Sequence, residues 1–258
     1  MSAEDPARDR GEGSRRPSAR ERVRAEITQE IKDVARAHLA RDGAAGLSLR
    51  AVARELGMAS SAVYRYFASR EELLTAIIID AYNGLGEAVE RAEAGRDRGD
   101  YAARWATVCH ATRDWARANP HEYALVYGSP VPGYRAPEDT IAPATRVTRV
   151  LAAVLGDAYE AGALRSPMPA IRLPDPLPAD FTGIRAVVPM PAASSGEDGA
   201  GGEADQAVLR GLVAWTWLFG ALSFELFGHY VGAVSDLDAF FDTCLAQVSA
   251  FLGLPLEA

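Results

Sequence analysis

Residues 47–74 read Leu47-Ser-Leu-Arg-Ala-Val-Ala-Arg-Glu-Leu-Gly-Met-Ala-Ser-Ser-Ala-Val-Tyr-Arg-Tyr-Phe-Ala-Ser-Arg-Glu-Glu-Leu-Leu74. Leu49, Val52, Ala53 and Leu56 recur at helical spacing, and Ser48 stands where it can cap the helix. Gly57 ends that helix, because glycine takes a left-handed C′ conformation without a Cβ penalty. Met58 and Ala59 leave room only for a sharp corner. Ser60 or Ser61 then opens a second short helix, which turns Val63 and Phe67 inward and leaves Ser61, Ala62, Tyr64, Arg65 and Tyr66 on its outer faces. Ser69-Arg-Glu-Glu72 is a Ser-x-x-Glu capping box ahead of Leu73, Leu74, Ile77 and Ile78. Two short helices joined by a glycine-containing turn are the usual DNA-reading unit, with the second helix in the major groove.

Charge supports that reading once it is divided along the chain. The net charge of −8 argues against a nucleic-acid partner. Residues 14–70, however, hold 12 Arg/Lys against 6 Asp/Glu, so the basic excess sits on the DNA-reading unit and the acidic excess elsewhere. A basic segment on an acidic body fits phosphate binding by one domain only. Lys32 is the sole lysine among 27 basic residues. Coding bias of a GC-rich genome accounts for most of this, and arginine also suits bidentate phosphate and guanine contacts.

Upstream, residues 1–17 are almost without apolar side chains and are expected to be a disordered arm, with Arg15, Arg16 and Arg20 able to track along DNA. Ser18-Ala-Arg-Glu21 is another capping box. Behind it Val23, Ile27, Ile31, Val34, Ala35, His38 and Leu39 keep one helical face to about Arg41. His38 reads as a packed core residue and not a ligand. Residues 18–68 thus form the DNA-binding domain and 69–258 a helical domain for effector binding and dimerisation.

Within that second domain, one helix is expected from Ser69 to about Ala94, weakened and open to bending at Asn83-Gly-Leu-Gly86. The next runs from Tyr101 to Asn119, a short one from Pro120 to Tyr127, and a long one from about Glu138 to Gly162. Residues 163–203 carry seven prolines and a Ser/Gly run, so no helix is expected there and the segment reads as a mobile loop. Asp205 to about His229 is apolar nearly all round, and Asp236 to Leu252 carries Leu237, Phe240, Phe241, Leu245 and Val248. A helix apolar on every side must be buried on every side, which implies a second subunit. Trp215, Leu222, Phe241 and Leu245 are the expected interface residues, in a four-helix bundle built from two helices per chain. No apolar run reaches the roughly 18 to 20 residues that span a bilayer, and no secretory h-region opens the chain. Cys109 and Cys244 stand in no metal or CxxC spacing, and read as reduced thiols in a cytoplasmic protein.

The segment Ser18–Leu74 resembles the DNA-binding domain of TetR/AcrR-family transcriptional regulators. The glycine turn, the Tyr64-Arg-Tyr-Phe67 block and Ser69-Arg70-Glu71 carry the likeness. More weakly, Trp215-Thr-Trp-Leu-Phe219-Gly220 and Phe224-Glu-Leu-Phe-Gly228 resemble a subgroup with a Trp-x-x-Leu-His-Gly signature, with Phe219 in place of the histidine. The resemblance implies an all-α homodimer on a double-stranded DNA operator, with an inducer pocket in each C-terminal domain. Carried onto this sequence, it implies that Ser48 and Arg50 meet phosphate or base edges and that Ser60, Ser61, Ala62, Tyr64 and Arg65 face the groove. Tyr66 and Arg70 would hold phosphates, and Arg65 is the prime base-contact candidate, since arginine bridges guanine O6 and N7. A phosphate contact is the alternative for Arg65.

Trp105, Cys109, Tyr123, Tyr127, Trp217 and Phe224 are candidates to line an apolar cavity for a small organic effector, although aromatic residues at helical spacing also read as plain core. The expected function is a repressor released from its operator by that ligand. An effector-independent architectural dimer is the alternative. No HExxH, GxSxG, P-loop or dinucleotide motif appears, so neither an enzyme, a cofactor nor a bound metal is expected.

Overall fold

A computed structural model describes residues 18–165, 168–187, 189–190 and 202–256. The arm expected over residues 1–17 lies outside them, as do residues 191–201 of the proline-rich connector. The described residues form helices without a strand: α1 (Ala19–Asp42), α2 (Leu49–Glu55), α3 (Ser60–Val63), α4 (Arg70–Ala94), α5 (Tyr101–Ala118), α6 (Pro120–Tyr127), α7 (Ile141–Ala144), α8 (Arg146–Glu160), α9 (Leu177–Val187), α10 (Glu203–Leu226) and α11 (Leu237–Leu252). The all-α class and the N-terminal helix-turn-helix follow the sequence expectation.

The helix starts show which side chains matter locally. Ser18 and Glu21 close the full capping box on α1, with Ser18 N donating to Glu21 Oε2 at 2.6 Å. Those bonds hold the Glu21 carboxyl below its usual range. Ser69 accepts from Glu72 N at 3.1 Å, but the Glu72 carboxylate takes the amide of Ala68 and not that of Ser69. Asp100 and Asp236 cap α5 and α11. Ser48 occupies the N-cap of α2 without a side-chain cap bond, and Ala59, not a serine, precedes α3. Gly57 takes φ +65°, the left-handed turn that the sequence required of it.

Two apolar cores share one helix. Ile31 and Ala35 of α1, Val52 of α2, Val63, Phe67 and Leu73, Leu74 and Ile77 of α4 make the first, with Leu125, Val126, Val131 and Tyr134 packed on its edge. Leu85 and Val89 of the same α4 belong to the second, with Trp105, Tyr123, Leu151, Leu155, Leu218, Phe241 and Leu245.

Three expectations are corrected. The helix from Glu138 to Gly162 is broken into a 3-10 turn (Glu138–Thr140), α7 and α8, because Pro143 lacks an amide and Thr145 turns its hydroxyl onto Ala142 O at 3.1 Å. The proline-rich connector does contain a helix, α9, whose Pro178 sits in the first turn, where no amide is needed. Leu173 and Phe181 bury against Val208 of α10, Gln206 brackets Ile171 by both its backbone groups, and Arg185 pairs with Asp205 at 2.6 Å. Finally, α10 is long and apolar enough by composition to cross a membrane, with a mean hydropathy of 1.4, although Ala214, Leu218, Phe219 and Leu222 pack into the second core.

The glycines of α4 serve packing. A Cβ at Gly86 would lie 2.6, 2.8 and 2.9 Å from Nε, Cδ and Cβ of Arg146. Arg146 donates to both oxygens of Glu90 and to Asn83 O and Oδ1, so α8 is laid against α4 through the gap that Gly86 leaves. At Gly84 the nearest atom to an added Cβ is Trp115 Nε1 at 3.4 Å.

Substitution separates these two sites. Helix propensity favours alanine over glycine by about 1 kcal/mol. Gly84→Ala is therefore expected to be neutral or slightly stabilising in thermal denaturation. Gly86→Ala must displace Arg146 near its own backbone, and overpacking of that kind costs about 1–3 kcal/mol. Its midpoint is expected to fall despite the better helix former.

Candidate nucleic-acid interface

The outer face of the helix-turn-helix is built from its inner one. Val63 is fully buried and Phe67 nearly so, and they pin α3 and the turn after it onto α1, α2 and α4. Ser60, Ser61, Tyr64 and Arg65 are consequently exposed, with Ala62 and Tyr66 half-buried beside them. Arg50 projects from α2 and is exposed, and Ser48 is half-buried at its start. Arg50, Arg54 and Arg65 make no ion pair among the described residues, whereas the buried or half-buried Arg36, Arg104, Arg113 and Arg146 are paired with carboxylates. Exposed cations without a partner are available to phosphate.

Two arginines here bond main-chain carbonyls. Arg70 bends back into the protein: its guanidinium donates to Leu47 O at 3.0 Å and to Ala44 O, tying the start of α4 to the α1–α2 connection. Its first role is thus to set the position of the α4 N-terminus. Arg24 of α1 went unnoticed in the sequence. Its guanidinium lies 4.9 Å from the centroid of the Tyr66 ring and donates to Arg65 O at 3.2 Å, fixing the turn that carries Tyr64 and Arg65. No spacing signal marks such a contact, because its partners are 41 residues apart. His38 is buried as expected and bonds Glu55 across 2.7 Å.

The candidate effector residues do not converge on one cavity. Trp105, Cys109 and Tyr123 are fully buried in the second core. Tyr123 donates to Phe219 O at 2.9 Å, and Tyr127 stacks within 4.3 Å of the Phe219 ring and 5.1 Å of Tyr123. Burial pushes the Tyr123 phenol up to about 12 and raises those of Tyr127 and the Cys109 thiol as well, so all three remain protonated at neutral pH. Trp217 packs on the edge of the same core, stacked on Phe241, and Phe224 is 52% exposed.

α6 joins this aromatic cluster to the first core. Its Glu122 pairs with Arg36 of α1 at 3.0 Å, Arg36 also holds Asp80 of α4, and Val126 O accepts from Tyr82 Oη.

The rest of the chain leaves one side of α10 and one of α11 uncovered, largely apolar on α10 and mixed on α11. Val213, Gly220 and Phe224 expose one stripe of α10, which Phe227 just past its end continues, and Ala239, Phe240, Thr243, Ala246 and Gln247 one stripe of α11. Of the expected interface residues only Trp215 is exposed, on a different face of α10 and against the Phe219 ring. Leu222, Phe241 and Leu245 point inward with at most 3% exposure, because α10 and α11 first pack on each other and on α5.

Comparison with known proteins places this architecture. The model of bacterial regulatory proteins of the tetR family matches residues 31–77, and that of the tetracyclin repressor-like C-terminal domain matches residues 105–248. The HTH-type transcriptional regulator Rv1816 of Mycobacterium tuberculosis is 40% identical over 220 residues, covering 83% of this chain and 87% of the relative. The crystal structure of the regulatory protein SCO4313 is 34% identical with a TM-score of 0.70, over 90% of this chain and 98% of that one. A protein of unknown function from Rhodococcus sp. RHA1 shares the fold at 23% identity and a TM-score of 0.63, over 88% and 95% of the two chains.

The arginine geometry makes a direct prediction for stability. Arg70→Ala removes a cation that satisfies two main-chain carbonyls, and hydrogen bonds to charged groups contribute about 1.5–3 kcal/mol. Its unfolding free energy is expected to drop by that order in urea titration. Arg65→Ala touches an exposed side chain without a partner and should stay within about 0.5 kcal/mol of the parent.

Proposed function

This chain belongs to the TetR family of bacterial transcriptional regulators, and on that premise we propose that it is a cytoplasmic repressor. It binds a palindromic operator as a two-fold dimer and releases it when a small, largely apolar ligand enters the C-terminal domain. The observation that carries the DNA half is the set of unpaired arginines around α3, held outward by buried Val63 and Phe67. In this reading Ser60, Ser61, Ala62, Tyr64 and Arg65 face the major groove, and Arg65 takes a guanine edge. Ser48, Arg50 and Tyr66 contact the backbone, and the N-terminus of α4, set by Arg70, faces phosphate.

The dimer is proposed to form through the exposed stripes of α10 and α11, giving a four-helix bundle. Two-fold symmetry then sets the reading helices about 34–36 Å apart, one turn of DNA.

Release requires a ligand with different affinity for two dimer states, and reversing a 1:99 ratio takes about 5.5 kcal/mol of difference. The proposed path runs through α6. Tyr123 and Tyr127 stand on its one side in the second core, and Glu122 and the Val126 carbonyl reach α1 and α4 on the other. Opening the aromatic cluster for a ligand moves α6, and with it the two helices that aim α3.

Three variants test the assembly and the contacts. Ala246→Glu places a charge on the exposed stripe and is expected to give folded monomers by light scattering, with weak operator binding. Leu245→Glu buries that charge inside the protomer and should fail to fold. A dimeric Ala246→Glu protein would place the interface elsewhere. Arg65→Ala should lose about 1–3 kcal/mol at one base-pair position in anisotropy titrations while keeping its affinity for random DNA. Equal loss on both DNAs would make Arg65 a phosphate contact.

A further inference from the structure

The end of α8, the segment following it and the first turns of α10 enclose a cleft of about 600 Å3. That is within the range of about 300–1,000 Å3 typical of small-molecule sites. Tyr159, Leu164 and Met168 give it an apolar wall, and Arg165 stands at its side. Arg210 of α10 is half-buried in it.

Arg210 is anomalous among the arginines of this protein. Arg36, Arg70, Arg104, Arg113, Arg146 and Arg185 are also buried or half-buried, and each bonds a carboxylate or a main-chain carbonyl. Arg210 has no hydrogen bond or ion pair among the described residues, and its Nε is enclosed without an acceptor. Glu203 also lines the cleft, but it acts on the guanidinium only from beyond ion-pair distance. Among the described residues the other acid of the cleft, Glu160, is exposed. Withdrawing a guanidinium from water without a partner is unfavourable, and it is retained where something else supplies the anion.

We propose that this cleft binds an organic anion, a carboxylate on an apolar body, with the carboxylate taken by Arg210 and the body laid against Leu164 and Met168. The planar guanidinium fork matches a carboxylate in two parallel bonds, and Arg165 adds a second positive charge. The site is separate from the aromatic cluster around Tyr123 and Tyr127. It lies on α8 and α10, which both pack into the second core, so occupancy bears on the same packing that supports α6. Its regulatory consequence rests on the effector reading given above; its ligand chemistry does not.

Calorimetry on the full-length protein with octanoate, phenylacetate, octanol and inorganic phosphate tests the site. Both carboxylates are expected to bind, with octanol weaker by about tenfold or more, the loss of one charge-assisted pair. Arg210→Gln should lose carboxylate affinity by a similar factor, while Arg210→Lys keeps part of it. Because the ligand-free Arg210 is an unpaired cation, Arg210→Gln should melt no lower than the parent. A lower melting point with unchanged carboxylate affinity would make Arg210 structural and overturn the proposal. Failure of both carboxylates to bind, or binding of phosphate in their place, would overturn it equally. An operator titration with and without octanoate separates the two proposals. Octanoate bound through Arg210 without effect on the operator keeps the site and removes the effector role. Release by octanol with no carboxylate bound at Arg210 keeps the effector reading and removes this site.

Discussion

The structure depends on one helix serving two cores. α4 is continuous over 25 residues, about 37 Å at 1.5 Å per residue. Leu73, Leu74 and Ile77 complete the core that holds the helix-turn-helix, and Leu85 and Val89 complete the other. Neither core closes without it, so the direction of α4 sets where α3 points relative to α8, α10 and α11. Two close contacts hold that direction. At its start Arg70 draws the helix onto the Leu47 and Ala44 carbonyls, and in its middle Gly86 admits Arg146 of α8. α6 braces the same helix from the side through Tyr82, and through Asp80 by way of Arg36.

Among the described residues, the buried and half-buried arginines of this chain are paired, with one exception. In the body, cations are spent on structure: Arg104 on Glu93 and Asp157, Arg113 on Glu225 and Asp238, Arg146 on Glu90. Exposed arginines are left unpaired on the helix-turn-helix, as Arg50, Arg54 and Arg65 are, and in the body, as Arg91 and Arg149 are, alike. Arg210 is unpaired too, but half-buried. What distinguishes the helix-turn-helix is its charge balance: the net charge of −8 averages a basic segment over residues 14–70 with an acidic body.

Much of this was legible because it is local. Gly57 announced the turn, Val63 and Phe67 the inward face, Ser18 and Glu21 the first cap, and Asn119-Pro120 the end of α5, all within one or two helical turns of sequence. What escaped depends on partners distant in sequence. The bonds of Arg70 to the Ala44 and Leu47 carbonyls leave no mark in the sequence, and Gly84 and Gly86 read as a weak point until Arg146 and Trp115 occupy the space they leave. Leu245 and Leu222 carry the right apolar character for an interface, but which side of an all-apolar helix faces its own chain is decided by α5, not by periodicity. The prolines between 163 and 203 concealed α9 for a related reason: its stability comes from Phe181 and Leu173 packing on Val208, not from its own propensity.

Amide hydrogen exchange in Gly86→Ala, compared residue by residue with the parent in the absence of DNA, is the most direct measure of whether α4 couples the two cores. The substitution perturbs only the contact of α4 with α8, far from α2 and α3 in the chain. If the shared helix sets the geometry of the reading head, protection should fall across residues 49–67 as well as around residues 85–160. Loss confined to residues 85–160, with residues 49–67 exchanging as in the parent, would contradict it.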